Sequence, residues 1–78
     1  MVQRKRITKS INNQTYVSIS KSELNFNGFI LDVNITRDPT YGYHYVVGHG
    51  VDTNGNLFVY FDGTINASVD ILIHYRLV

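Results

Sequence analysis

The dipeptide Asn54-Gly55 constrains this chain more than any other feature. It lies between two runs rich in aromatic and β-branched residues, YHYVVGHGV and LFVYF. Asn-Gly supplies two adjacent positions that accept positive φ, as the tight turn of a two-residue β-hairpin requires. The spacing predicts a central hairpin over residues 41–61. With Asn54 and Gly55 as the turn, Val51 faces Phe58 and His49 faces Tyr60, while Gly50 meets Val59 and Gly48 meets Phe61. A four-residue loop over residues 52–55 shifts these pairs by register. In either case the hairpin is apolar on both faces, and such a hairpin is expected to be covered on both.

The remaining segments read as strands laid around it. Residues 2–8 are polar and basic and form an arm or an edge strand. Residues 10–13, rich in Asn, read as a turn. Residues 15–20 alternate, with Val17 and Ile19 on one face. Residues 21–28 read as a short strand that ends at Asn27-Gly28. Residues 29–37 alternate again, with Phe29, Leu31, Val33 and Ile35 inward. Pro39 marks a loop, and Asp62-Gly63 a further turn. Residues 65–78 form a long last strand with Ala67, Val69, Ile71, Ile73, Tyr75 and Leu77 on one face. No i, i+3, i+4, i+7 pattern persists, so little or no helix is expected. The prediction is all-β: a small antiparallel β-sandwich or jelly-roll-like barrel. Residues 1–9 are its basic arm or edge strand, and residues 10–78 the single domain.

The chain has 78 residues and no cysteine. A domain this small buries only about 60% of the surface its unfolded chain exposes, and no disulfide reinforces it. Yet 44% of its residues are hydrophobic and 17% charged, more apolar surface than one small interior covers. A homo-oligomer resolves the mismatch. Its expected interface is the second hairpin face, with Val47, His49, Val51, Phe58 and Tyr60. The net charge of +1 gives no global field to steer a polyanion. No apolar run approaches the ~20 residues of a membrane span. The basic N-terminus has no apolar segment behind it, so a secretory signal is not expected.

Reactive clusters are sparse. His44, His49 and His74 lack the spacing of metal ligands, and neither a metal nor another cofactor is implied. Asp70 and His74 share a strand face but stand about 13 Å apart at strand rise. Asp38, Asp52 and Asp62 fall in turns, where Asp is common for its local hydrogen bonding. An enzyme is therefore not expected. Tyr41, Tyr43, His44 and Tyr45 offer flat faces and polar tips for a sugar ring; ordinary strand aromatics are the plainer reading and rank ahead. Arg4, Lys5, Arg6 and Lys9 form a phosphate-binding arm in the alternative reading, a small nucleic-acid-binding barrel. The low net charge ranks that reading second. A small inhibitor of a host protein is a third class.

The closing segment, GNLFVYFDGTINASVDILIHYRLV, resembles the C-terminal end of bacteriophage tail-fibre and receptor-binding tip domains. In those, the chain finishes in an alternating strand, matched here by Ala67, Val69, Ile71, Ile73 and Tyr75. The resemblance covers about a third of the chain. It implies a compact β-sandwich, a trimer about an axis, and a role as a phage or prophage structural protein that contacts a cell-surface glycan or protein. It places the protein in the virion, or in the host cytoplasm during assembly. No binding residue is carried over from it.

Overall fold

One strand, β4 (Leu57–Leu77), pairs with every other described strand. In chain order it is preceded by β1 (Val2–Ile19), a single helical turn α1 (Lys21–Leu24), β2 (Gly28–Arg37) and β3 (Val46–Val51). The computed structural model describes residues 2–37 and 44–78. The described strands make one antiparallel four-stranded sheet. β1 pairs with one edge of β4 along nearly its whole length. The other edge is shared: β3 pairs with residues 57–61, and β2 with residues 70–77.

The 21 residues of β4 would span roughly 66–70 Å if straight. The longest dimension of the molecule is 38 Å, so the β1–β4 ribbon bends sharply. The pairing locates the bend. Asn13 is an extra residue between the pairs Asn12–Asn66 and Gln14–Ile65, with left-handed φ of 54°. Opposite it, β4 has residues 61–64 where β1 has Thr15 alone. Bulges of this kind bend the strand that carries them. Residues 10–13 and Asp62-Gly63 were expected to be turns between strands. Both are bends within continuous strands, because the partner ladder resumes on either side of each.

Bending brings the inward faces of the two halves of β4 around one core. Leu57, Val59, Phe61, Ile65, Val69, Ile71 and Ile73 are buried there with Ile11, Ile19, Leu24 and Val33. The odd-numbered alternation expected for the last strand is what is seen, and so is the pairing of Val17 and Ile19 on one face.

Two local expectations are corrected. Residues 21–24 form α1, not a strand. Ser20 caps it, its hydroxyl accepting from the Glu23 N–H at 3.2 Å, and Asn25 closes it in the left-handed region (φ 53°). Phe29 and Leu31 are exposed rather than inward. A bulge between Ile30–Tyr75 and Asp32–His74 flips the parity, so Ile30 turns toward the core in their place. β1 runs unbroken from Val2 to Ile19. Of the two forms expected for the basic segment, arm or edge strand, residues 2–9 take the edge strand.

Candidate interaction surfaces

The hairpin register decides which residues meet at the surface. Asp52 N–H donates to the Asn56 carbonyl at 3.0 Å, and Gly55 N–H donates to the Asp52 carbonyl at 3.1 Å. The loop is therefore three residues, Thr53, Asn54 and Gly55, with Gly55 at φ 85°. This is a three-residue loop closed by a left-handed glycine, not the two-residue turn expected. The Asp52 carboxylate favours it: Oδ1 accepts from the N–H groups of Asn54 and Asn56, both at 2.9 Å. Chiefly through the Asn56 N–H, and against partial removal from water, these bonds hold the Asp52 carboxyl below its ordinary value of 3.8. Asn56 Oδ1 in turn accepts from Lys21 N–H, which ties the loop to α1.

The shift of one residue exchanges the faces of the expected pairs. Val51 now faces Leu57 and His49 faces Val59, while Gly50 faces Phe58 and Gly48 faces Tyr60. Ser18 and Tyr16 of β1 extend the same two rows. The outer surface of this half is an aromatic ledge beside a bare strand. The Tyr16 and Tyr60 rings lie 6.4 Å apart at a tilt of 38°, and Tyr60 is 46% exposed. A Cβ built on Gly48 or Gly50 meets nothing within 4 Å.

The five residues expected at the interface do not share one face. Phe58 and Tyr60 are outside. His49 and Val51 lie on the inward side, where Val51 is left 53% exposed. There they border an open groove of about 520 Å³ against Leu24, Phe26 and Ile30. Val47 sits in a bulge and is exposed.

Of the expected sugar-stacking cluster, Tyr41 and Tyr43 lie outside the described residues. Tyr45 is exposed. His44 is not presented for stacking: its Nδ1 lies 3.1 Å from Asp62 Oδ1, which also accepts from Tyr45 N–H at 3.2 Å. Removal from water raises the Asp62 carboxyl, but the His44 and Tyr45 bonds outweigh it and the net shift is below 3.8. The pair fastens the entry to β3 onto the bend of β4. Spacing along the chain, 18 residues, gave no sign of it.

The basic residues separate by parity. Lys5 and Lys9 point toward α1, where Lys5 Nζ donates to the Leu24 carbonyl at 2.6 Å and Lys9 pairs with Glu23 at 3.1 Å. Arg4 and Arg6 point outward, exposed. Arg76 and Phe29, facing each other across β4 and β2, lie on that same outer face, and sequence reasoning missed both. Their relation depends on strand pairing, which no local spacing encodes.

Among the described residues no group of three or more His, Asp or Glu is placed to hold a metal, and no helix is long and apolar enough to cross a membrane. Comparison with protein-family models, curated proteins and solved structures finds no match to this chain.

Proposed function

We propose that this chain is a non-enzymatic interaction module that assembles with copies of itself through the outer face of the β3–β4 hairpin. The observation that carries the reading is the pairing of exposed aromatics with glycines that the chain itself does not need. Glycine inside a strand weakens it, and it marks places where another backbone or a ligand comes close. Neither Gly48 nor Gly50 has positive φ, and neither has a neighbour that a Cβ would strike. A second sheet laid on Tyr16, Phe58 and Tyr60 would fill that space and cover apolar surface.

The alternating run through Ala67, Val69, Ile71, Ile73 and Tyr75 supports a more specific form of the reading. In it, the module is a homotrimeric phage or prophage structural protein of tail-fibre-tip type, and it contacts a surface glycan or protein. Light scattering at micromolar concentration tests the assembly. An oligomer that Tyr60→Glu converts to a folded monomer is the expected result. A wild-type chain that stays monomeric and captures no glycan or protein overturns it.

A further inference from the structure

We infer that the outer face around Arg4, Arg6 and Arg76 is a binding site for single-stranded nucleic acid. This face is separate from the one proposed for self-assembly. Arg4 faces His74 and Arg6 faces Leu72 across the β1–β4 ladder, and Arg76 stands two residues beyond His74. Alternate residues of a strand lie about 7 Å apart on one face, and diagonal cross-strand neighbours about 7–8 Å. By register Arg4 thus stands about 7 Å from Arg6 and about 7–8 Å from Arg76, a backbone spacing comparable to that of successive phosphates along an extended strand.

The three arginines are exposed, and none enters an ion pair among the described residues. That contrasts with Lys5 and Lys9 on the same strand, each of which is engaged by α1. Like charges held together outside any direct ion pair repel, and an anionic partner lowers that cost. Arg binds phosphate bidentately through its planar fork.

Two further features narrow the partner. Phe29, directly across from Arg76, is 66% exposed. An aromatic face beside a cationic track is how single strands are held, bases stacked and phosphates paired. Asp32 and Asp70 occupy the β2 and β4 sides of the face. The Asp32 carboxylate borders the track on the β2 side, across His74 from Arg4, and disfavours the second strand of a duplex there.

Fluorescence anisotropy of a labelled oligothymidylate with the full chain tests this. Three neutralised phosphates give a log–log salt slope of about −2, so affinity falls roughly 20-fold between about 50 and 200 mM salt. Arg76→Ala alone should reduce the slope by about 0.7. Phe29→Ala should weaken the oligonucleotide while leaving inorganic polyphosphate binding unchanged. Tyr60→Glu should bind normally, which separates this site from the assembly face. The proposal fails if no binding occurs at low salt, or if the folded Arg4→Ala/Arg6→Ala/Arg76→Ala variant keeps the wild-type slope. Should the triple variant not fold, the three single substitutions at exposed positions give the same decision. Equal binding of duplex, or a neutral Phe29→Ala, overturns the single-strand assignment.

Discussion

The Asp52 carboxylate accepts the backbone N–H of Asn56 at 2.9 Å, and this bond sets the register of the hairpin. It draws Asn56 into the loop closure, so Leu57 rather than Phe58 becomes the partner of Val51. The folded state binds the Asp52 proton less tightly than the unfolded chain does, as is also true of Asp62. Depressed carboxylate values contribute stability above the ordinary 3.8, and that stability is lost as pH falls through the lower folded values. Thermal unfolding followed from neutral pH into acid should show a drop below that point. Asp52→Asn keeps an acceptor but cannot titrate. It should be less stable than wild type near neutrality and should lose less on acidification. Parallel curves for the two proteins would disprove the assignment.

What the sequence shows and what it hides divide along one physical line. The alternation in residues 65–77 reads correctly because β4 is central, so its inward face is buried whatever pairs with it. The face of Phe29 and Leu31 does not, because the Leu31 bulge depends on how β2 meets β4. The capping residues of α1, Ser20, Glu23 and Asn25, are present as local signals. The two-residue spacing of Leu24 and Phe26 imitated a strand and masked them. The hairpin signal was sound in kind, and the Asp52 side chain settled the loop length. For the arginine face, β1 spacing alone marks Arg4 and Arg6 as one side. Arg76 joins them only through pairing.

Two glycines should respond oppositely to alanine. A Cβ on Gly28 would overlap the Arg76 carbonyl group of the neighbouring strand. Backbone cannot yield as a side-chain tip can, so Gly28→Ala should cost about 1–3 kcal/mol and loosen β2. A Cβ on Gly50 meets open space. In the monomer, Gly50→Ala should be neutral or stabilising by up to about 1 kcal/mol, through the lower entropy of the unfolded chain. The same substitution should weaken self-association. Chemical denaturation at low concentration, compared with light scattering at high concentration, separates the two effects. A destabilised Gly50→Ala monomer would show that the glycine serves the fold and not an interface.

The two lysines that hold α1 differ in worth. Lys5 donates to the Leu24 carbonyl in a partly buried setting, and so satisfies a helix-end acceptor. Lys9 and Glu23 form a surface pair, with the Glu23 side chain 43% exposed. Hydrogen bonds that involve a charged group contribute more than exposed ion pairs. Lys5→Ala should therefore cost about 1 kcal/mol, and Lys9→Ala under about 0.5 kcal/mol. Urea unfolding of both variants ranks them. A larger effect at Lys9 would mean that charge, and not carbonyl satisfaction, holds the turn against β1.

The bend of the β1–β4 ribbon rests on Asn13, which carries a left-handed φ of 54°. Asn tolerates that region better than residues with branched or bulky side chains do. Asn13→Gly should leave stability close to wild type, since glycine enters the region without steric cost. Asn13→Val should cost about 1–2 kcal/mol from the left-handed conformation alone. The loss should extend beyond β1. The bulge lets the second half of the ribbon turn back over the first, so relaxing Asn13 into the ordinary strand region would change the parity of every β1 residue after it. Val17 and Ile19 would then face outward and Tyr16 inward. Amide exchange should report this as lost protection over residues 14–19 and their β4 partners, with the ladder from Val2 to Ile11 less affected. Uniform loss along all of β1 would instead mean that the bend is fixed by β4, at residues 61–64, and that Asn13 only accommodates it.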